Sequence, residues 1–348
     1  MRVKIHIFAL IVSNLYKKFS TKKGIHQKLF KFRATIYLFT VGSYKFSLNI
    51  RLYERTFFYS FFFIYLCSRQ LTTCMAESKF LEVKKVLREK APNLAKKIPG
   101  FVADYISRTI HEDELNDIVQ RNKHLDGVEF MQALVKEFDL KLDIIGEENL
   151  PDPGGRYIFA ANHPLGGLDG ISLAAILGEK YTGRIRYLVN DLLFYISNLH
   201  SIFVPINKSG PQGKEATRKI EEAFASDNQI LTFPSGFCSR KYHGIVKDLP
   251  WKKSFIQKAI KHQRDIVPIH FGGENSNFFY RLANIRTRLG IKMNYEMLYL
   301  PDEMFKNKHQ TFRIYIGEPI SWKTFDKTKT AKEWAIWVQD KVYKLNEK

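Results

Sequence analysis

A histidine and an aspartate lie on one short glycine-rich loop, directly after an apolar run that predicts a buried strand. The segment 161–170 reads Ala-Asn-His-Pro-Leu-Gly-Gly-Leu-Asp-Gly, and five residues separate His163 from Asp169. A carboxylate beside a histidine can fix the imidazole tautomer and stabilise the imidazolium, which suits that histidine to take a proton from an alcohol near neutral pH. Gly166 and Gly167 would let the backbone approach a substrate closely. The residues alone leave open a second interpretation, a surface turn in which Asp169 caps the next helix.

A second loop of similar design follows another predicted strand. The segment 231–241 reads Leu-Thr-Phe-Pro-Ser-Gly-Phe-Cys-Ser-Arg-Lys. Its proline and glycine form the turn, while Arg240 and Lys241 could hold an anionic head group, the arginine through two parallel hydrogen bonds. The alternative is a strand-end turn with solvated cations. Cys238 is the one cysteine beyond residue 74, and we interpret it as structural in a reducing compartment, since a single thiol forms no internal disulfide.

Two shorter segments repeat this layout. Residues 204–208 read Val-Pro-Ile-Asn-Lys, and residues 267–273 read Val-Pro-Ile-His-Phe-Gly-Gly. Both end predicted strands with a polar exit. Because the carboxyl ends of parallel strands gather at one edge of a sheet, the four segments are expected to lie together.

The elements that must position these loops follow from hydrophobic periodicity. From Phe80 to Phe138 the apolar spacing is helical, and from Leu140 the period changes to two. Strands and helices then alternate. This order predicts an α/β fold with a mostly parallel sheet flanked by helices and preceded by a helical N-terminal region. The predicted strands are 140–144, 157–161, 186–189, 202–206, 229–233, 266–271 and 312–316, and the predicted helices are 214–224, 252–262 and one that starts at Thr330 with a capping box to Glu333.

The first 74 residues differ in composition from the rest of the 348-residue chain. They hold 13 Lys and Arg against one acidic residue, a net charge of +12, whereas residues 75–348 hold 42 against 34, a net charge of +8. They contain 17 Phe or Tyr, no Pro and no Asp, and their apolar positions show no sustained period. Translation of AT-rich upstream DNA would give such a stretch, and Met75 begins a segment of ordinary composition. We therefore predict three regions: a non-native or poorly ordered leader (1–74), a helical membrane-proximal region (75–139) and an α/β domain with a C-terminal helix (140–348).

Other interpretations of the leader remain open. The run 56–67 is too short for a membrane span, which needs roughly 20 residues, but it could associate with a membrane. A signal peptide lacks a clear cleavage site, and a nucleic-acid-binding arm has no folded support. The overall charge of +20 therefore does not argue for nucleic acid, because most of it belongs to the leader, and the remaining +8 is ordinary for a protein that works against an anionic membrane.

In family order and at plausible spacing, the four segments resemble those of glycerolipid acyltransferases of the bacterial lysophosphatidic-acid acyltransferase type. More narrowly, they resemble the branch often labelled hemolysin-like or lyso-ornithine-lipid acyltransferase. The resemblance covers roughly residues 140–320. It implies that His163 is the general base and that Asp169 is its partner. The other positions that it marks for substrate binding are Asn162, Gly166, Gly167, Asn207, Lys208, Ser235, Gly236, Ser239 and Arg240.

The resemblance also implies a reaction and a location. A fatty acyl chain would pass directly from a thioester, acyl-carrier-protein or acyl-CoA, to the hydroxyl of a lyso-lipid, with no covalent acyl-enzyme, no bound cofactor and no metal. The protein would lie on the cytoplasmic face of a bacterial membrane as a peripheral protein. In the helical region, Phe101 and neighbouring apolar and lysine residues could lie on anionic lipid or pack on the sheet. Trp334 and Trp337 are expected in the core.

Three positions depart from the family pattern. Five residues rather than the usual four separate the histidine from the aspartate, and the loop glycines must absorb the extra one. Ser235 stands where most members have glutamate, and Asn207 and Lys208 stand where an arginine commonly binds the acceptor phosphate. These departures leave room for a lyso-aminolipid or another lyso-lipid as the acceptor.

Two other classes of function compete with this interpretation. A hydrolase or thioesterase acting on lipids would use the same histidine, although no Gly-x-Ser-x-Gly elbow is present. A non-catalytic basic protein of the membrane surface would not use it at all.

Overall fold

The computed structural model describes residues 32–38, 46–52, 81–90, 99–189, 196–205, 212–291 and 294–347. The chain divides into two compact units, 1–78 and 79–348. In the first unit, β1 (Phe32–Leu38) and β2 (Phe46–Leu52) form an antiparallel hairpin, which the irregular hydrophobic pattern of that segment does not predict. The rest of the predicted leader, including the run 56–67, lies outside the described residues.

The second unit begins with helices, as predicted, and continues with alternating strands and helices. The first helices are α1 (Val83–Lys90), α2 (Gly100–Thr109), α3 (Glu112–Arg121) and α4 (Gly127–Glu137). The strands are β3 (Lys141–Ile145), β4 (Tyr157–Ala161), β5 (Ile185–Val189), β6 (Phe203–Pro205), β7 (Gln229–Thr232), β8 (Arg240–Tyr242), β9 (Ile245–Lys247), β10 (Asp265–Phe271) and β11 (Thr311–Ile316). The later helices are α5 (Leu168–Lys180), α6 (Gln212–Ala225), α7 (Ser254–His262), α8 (Asn277–Arg288), α9 (Leu300–Lys306) and α10 (Ala331–Tyr343).

Seven of the nine described strands of this unit build one mostly parallel sheet, which confirms the predicted fold class, and β8 and β9 form a separate hairpin. Its seven strands have the order β3-β11-β10-β4-β7-β5-β6. Neighbours are parallel except β10 and β11, which are antiparallel. The strands β10, β4, β7, β5 and β6 therefore bring their carboxyl ends to one edge of the sheet.

The sheet is buried on both faces. Successive residues of β4 enter different hydrophobic clusters: Phe159 and Ala161 pack with residues of α4 and α5, while Ile158 and Ala160 pack with residues of α6, α7 and α10. This period of two follows from the pleat of the strand. The sheet is therefore packed between helices on both faces.

The helical N-terminal region contributes to the same core. Phe130, Met131 and Phe138 of the α4 segment are buried in the cluster that covers one face of the sheet. Farther upstream, Phe101 on α2 is 72% exposed. The C-terminal helix begins at the predicted capping box of Thr330 and Glu333, and Trp334 is buried, as expected. Within the described part of the chain, no helix has the length and apolar character needed to cross a membrane.

The sequence patterns missed several elements near the sheet edge. The β8–β9 hairpin and the helices α8 and α9 lie after β7 and β10, respectively. The hairpin strands have three residues each, too few for a period to stand out. These elements surround the loop that carries His163.

Candidate active site

The loops after β4, β7 and β10 are joined by hydrogen bonds at the carboxyl edge of the sheet. The Ser239 backbone N–H donates to the carbonyl oxygen of His163 at 2.7 Å. The Asn162 side chain forms two hydrogen bonds with the backbone of Phe271. Its Nδ2 donates to the Phe271 carbonyl at 2.9 Å, and its Oδ1 accepts from the Phe271 N–H at 2.6 Å. Asn162, a predicted substrate-binding residue, is thus engaged in tying β4 to β10.

His163 and Asp169 form a direct pair despite the longer spacing between them. The Nδ1 atom of His163 lies 2.9 Å from Oδ2 of the fully buried Asp169. The same Oδ2 accepts from the N–H groups of Leu165 and Gly166 at 3.0 and 3.2 Å, and Oδ1 accepts from the N–H of Gly170 at 2.8 Å. Asp169 also lies in the first turn of α5. The N-cap of α5 is Gly167 and Asp169 is fully buried, so the alternative of a surface turn in which Asp169 caps the helix is wrong.

The pair shifts both pKa values in the directions that an ion pair requires. Burial lowers the pKa of the His163 imidazole, but the charge and hydrogen bond of Asp169, together with the charge of Asp248, outweigh this effect and raise the pKa above 6.5. Burial raises the pKa of Asp169, but the interaction with His163 and the hydrogen bonds from the N–H groups of Leu165 and Gly170 together lower the pKa below its usual value. The ionic form of the pair is the favoured one over a wider range of pH than for an isolated histidine.

One ring nitrogen of His163 remains available for chemistry. Its side chain is 16% exposed, and its ring stacks on Phe233 with 4.1 Å between centroids. Nδ1 is held by Asp169, whereas Nε2 has no hydrogen-bond partner among the described residues. The hydrogen bond at Nδ1 therefore fixes the orientation of the imidazole and leaves Nε2 free to accept a proton.

The two loop glycines pack closely against protein behind the site. Gly166 has φ +77°, and a Cβ there would lie 3.0 Å from Leu300 and 3.2 Å from Cys238. A Cβ on Gly167 would lie 2.6 Å from the sulfur of Met304. The loop therefore lies close to Cys238 and to Leu300 and Met304 of α9, and the absence of a side chain at both glycines allows this close approach. Their predicted contact with substrate stays a prediction.

Asp248 joins the loops around His163, and no sequence motif marks it. Its Oδ1 accepts from Ser239 Oγ at 2.6 Å and from the His163 N–H at 3.2 Å, while its Oδ2 accepts from Trp251 Nε1 at 2.9 Å. Its own N–H donates to the hydroxyl of Tyr343 at 2.7 Å. Burial raises the pKa of Asp248, against the effect of these hydrogen bonds. Since its partners lie up to 95 residues away, only the fold could reveal this role.

The sequence predicts that Arg240 binds an anionic head group, but in the structure its guanidinium binds other residues of the protein. It is 5% exposed, and its guanidinium donates to Glu296 at 3.0 Å and to the Cys238 carbonyl at 2.8 Å. Glu296 is fully buried and also accepts from Arg286 at 2.8 Å. The alternative of solvated cations is wrong for Arg240, because Glu296 holds it in the interior; the neighbouring Lys241 is in turn paired with Glu274 at 2.9 Å.

Of the other residues predicted to bind substrate, the structure describes Ser235 and Ser239 but not Asn207 and Lys208. Ser235 is buried, and its hydroxyl donates to the Phe237 carbonyl at 2.7 Å. Ser239 is buried against Asp248. Asn207 and Lys208 lie outside the described residues, so their predicted acceptor contacts stay predictions.

Lys252 is a cation beside the site that sequence reasoning missed. The turn after β7 closes with a bond from the Gly236 N–H to the Phe233 carbonyl at 3.0 Å, and Gly236 has φ +72°. The Lys252 ammonium occupies the space that a side chain at position 236 would need, and it lies 5.6 Å from the centroid of the Phe237 ring. Lys252 is exposed, and none of the described carboxylates lies within 4.0 Å of it.

Cys238 is unsuited to act as a nucleophile. It is 1% exposed, and burial raises the pKa of its thiol to about 11, although Arg240 acts in the opposite direction. The reactive form of a cysteine is the thiolate, so the thiol is inert near neutral pH. The structural interpretation of this residue agrees with its surroundings.

The fold and site define an α/β protein with an oriented histidine at the carboxyl edge of its sheet. A family model described as acyltransferase matches residues 85–348. A lyso-glycine lipid O-acyltransferase of Bacteroides thetaiotaomicron is 51% identical over 270 residues, which cover 77% of this chain and 99% of the relative. A second enzyme of that description, from Phocaeicola vulgatus, is 51% identical over 265 residues, 76% of this chain and 95% of the relative. The chain belongs to the acyltransferase family, and it is an O-acyltransferase; the glycerolipid acyltransferase resemblance is confirmed.

A solved structure resembles the chain more remotely. The 1-acyl-sn-glycerophosphate (LPA) acyltransferase PlsC from Thermotoga maritima aligns with a TM-score of 0.39 and 16% identity, over 70% of this chain and 96% of that one. The fold assignment therefore rests on the strand order of the protein itself.

Asp248 should be required for stability as well as activity. Replacing Asp248 by Ala leaves the buried donors of Ser239 and Trp251 without an acceptor, and we expect the free energy of unfolding to fall by roughly 2–4 kcal/mol. The matched control is Asp340→Ala, which removes an exposed carboxylate 3.4 Å from Lys247 and should change stability by less than about 0.5 kcal/mol. Urea unfolding measures both. Equal effects of the two substitutions would show that Asp248 is not an anchor.

Proposed function

We propose that this protein transfers a fatty acyl chain from a thioester donor to the hydroxyl of a lyso-aminolipid with a glycine head group. The observation that carries the proposal is the geometry of His163, whose Nδ1 is bound to Asp169 at 2.9 Å while Nε2 is open. The two relatives that are 51% identical and described as lyso-glycine lipid O-acyltransferases support the choice of acceptor. As these relatives are bacterial, we place the reaction at the cytoplasmic face of a bacterial membrane.

The proposed reaction is a direct transfer. The acceptor hydroxyl lies against Nε2 of His163, which takes its proton as the oxygen attacks the thioester carbonyl carbon. The new C–O bond forms, the tetrahedral intermediate collapses, the C–S bond breaks, and the thiolate leaves with the proton from the imidazolium. Asp169 stabilises the imidazolium that exists between these steps. The N–H of Gly236 already donates to Phe233, so we assign the oxyanion to other backbone amides of that turn.

The donor in this proposal is acyl-carrier-protein or acyl-CoA. Both present the same thioester carbonyl to His163, so the base chemistry is the same for either donor. A transfer of this kind passes through no covalent acyl-enzyme, which agrees with the buried, inert thiol of Cys238. The competing hydrolase would use the same base with water as the nucleophile and would release free fatty acid.

The head group of the acceptor needs a cation, and Lys252 is the described residue that fits. A glycine attached through its nitrogen keeps its carboxylate, and an exposed ammonium can bind it. The Lys252 ammonium lies over the turn that places Phe233 against His163. Arg240, the residue favoured by the motif, is held by Glu296. We therefore assign the carboxylate of the acceptor to Lys252.

Replacing His163 by Ala should abolish transfer. We expect the rate to fall by about 10²–10⁴-fold because the general base is lost. The assay supplies acyl-CoA or acyl-carrier-protein together with a lyso-glycine lipid and detects the diacylated product by lipid mass spectrometry. The matched control is His309→Ala, since His309 also lies 2.9 Å from an aspartate, Asp139, but is 72% exposed. Retained transfer in the His163 variant would refute the mechanism, and free fatty acid as the main product would favour the hydrolase.

Replacing Asp169 by Asn should move the pH profile to lower pH. Activity requires neutral His163, so kcat/KM rises with pH through the pKa of the imidazole, which Asp169 raises above 6.5. Without the Asp169 carboxylate, only the charge of Asp248 opposes the effect of burial, so the pKa falls. The kcat falls by about 10²–10⁴-fold because the tautomer is no longer fixed. Rates measured across pH for Asp169→Asn and for the control Asp139→Asn test this. An acid limb that stays in place would contradict the assignment.

Replacing Lys252 by Gln should weaken acceptor binding selectively. The KM for the lyso-lipid is expected to rise about five- to ten-fold, as for the loss of one charged hydrogen bond, with little change in the KM for the donor. The control is Lys253→Gln, which removes the neighbouring exposed ammonium. A rise in the donor KM alone would instead place the donor beside Lys252.

A further inference from the structure

One face of α8 exposes large apolar side chains together with arginines. Phe278, Ile285 and Leu289 are 50%, 57% and 67% exposed, respectively. Arg281 and Arg288 are exposed as well, and the spacing of these five residues places them on one side of the helix and its C-terminal end. The opposite side is buried through Phe279, Tyr280 and Ala283. The helix is thus amphipathic, but it also presents apolar groups to the outside.

Neighbouring elements extend this face. Phe278 packs its ring against Tyr299, with 5.0 Å between centroids, and the hydroxyl of Tyr299 lies 2.9 Å from that of Tyr105 on α2. The turn that carries Tyr299 also exposes Tyr295 and Leu298. We call the following set the α8 surface: Phe101, Tyr105, Phe278, Arg281, Ile285, Arg288, Leu289, Tyr295 and Leu298.

The charge of the α8 segment of this surface has one sign. Residues 275–295 contain four basic residues and no acidic one. Arg286 is bound to the buried Glu296, but Arg281 and Arg288 lie on the exposed side. By contrast, the basic residues of α1 are partly neutralised, since Lys84 is paired with Asp104 at 2.7 Å. The α8 surface therefore combines apolar area with net positive charge.

The α8 surface is connected firmly to the catalytic loop. Just before α8, Nδ2 of Asn275 donates to the Pro164 carbonyl at 3.2 Å, next to His163. Glu296, in the turn that carries Tyr299, binds Arg240 of the second loop. The orientation of His163 relative to the α8 surface is therefore set by buried polar contacts.

We infer that the α8 surface seats the protein on a bilayer rich in anionic lipid, from which the lyso-lipid reaches His163. This inference rests on the proposed function. On the α8 segment, exposed Phe, Ile and Leu lie beside Arg, with no acidic residue among residues 275–295, and such a combination matches the boundary between head groups and acyl chains. The arginines complement anionic head groups. The acyl chain of the acceptor then stays in the bilayer while its hydroxyl meets Nε2.

The proposed membrane-facing region differs from the one that the sequence suggested. That region was the whole helical segment before the sheet, yet the α4 part of it is buried in the core. Among its described residues, Phe101 and Tyr105 of α2 join the α8 surface. The main contribution comes from a helix that lies more than 170 residues farther along the chain.

Binding of the full-length protein to vesicles tests the inference. Vesicles of equimolar phosphatidylcholine and phosphatidylglycerol are compared with vesicles of phosphatidylcholine alone by sedimentation. Arg281→Gln with Arg288→Gln should weaken binding to the anionic vesicles about five-fold per arginine and leave binding to neutral ones nearly unchanged. Ile285→Ser with Leu289→Ser should weaken binding to both by about ten-fold or more.

Matched controls lie on other helices. Ile260→Ser with Ile336→Ser replaces apolar residues of α7 and α10 that are 40% and 38% exposed, and Lys332→Gln with Lys344→Gln removes two exposed lysines. Both control proteins should bind vesicles as the unmodified protein does. The arginine variant changes only exposed charged residues and keeps every apolar side chain of the α8 surface. Its result therefore tests the inference even if the serine variant folds poorly.

Two assays separate this inference from the proposed function. With a short-chain acceptor dissolved in water, the α8 variants should transfer acyl chains at the unmodified rate, whereas with acceptor embedded in vesicles their rate should fall in parallel with binding. Loss of the reaction in His163→Ala with intact vesicle binding tests the chemistry alone. Unchanged vesicle binding by both α8 variants would overturn the inference. The inference would also be overturned if the α8 variants lost binding to an acidic acyl-carrier-protein but kept vesicle binding, because the α8 surface would then be a docking site for that protein.

Discussion

The buried carboxylate of Asp169 is the constraint around which the site is built. A carboxylate removed from water is costly unless donors surround it, and the effective penalty is several kcal/mol. Here the donors are Nδ1 of His163 and the N–H groups of Leu165, Gly166 and Gly170, and the start of α5 adds the positive end of its dipole. All of these donors belong to one loop or its helix. The loop therefore has to fold around the carboxylate, and in doing so it fixes the imidazole.

The loop does not hold this shape alone. Asp248 binds the His163 N–H and Ser239 from the side, while Leu300 of α9 packs against Gly166 from behind. Through Arg240 and Glu296 the same support continues to the turn that carries Tyr299. A polar network that positions the base thus also positions the α8 surface. For the membrane-embedded acceptor that we propose, one set of buried contacts would fix both the orientation of His163 and the orientation of the surface that meets the membrane.

Local patterns predicted much of the fold, and contacts between distant residues explain what they missed. The strand 157–161 and the capping box at Thr330 are matched residue for residue, because period and capping are encoded within a few positions. The antiparallel β11 was not foreseen, since alternation does not encode strand direction. The sequence could not show that Arg240 is buried, because its partner Glu296 lies 56 residues away. Asp248 was missed for the same reason.

The burial of Arg240 bears on the acceptor. A phosphate monoester carries close to two negative charges and is best held by the planar fork of arginine, whereas a carboxylate carries one charge that a single ammonium can balance. In the described part of the loop after β7, Arg240 is neutralised by Glu296 and Lys241 is paired with Glu274. Lys252 is the cation left facing outward beside this turn. This charge balance supports our proposal of a head group with one carboxylate rather than a phosphate monoester. The residues at positions 207, 208 and 235, which depart from the pattern that the family resemblance implies for phosphate binding, support it as well.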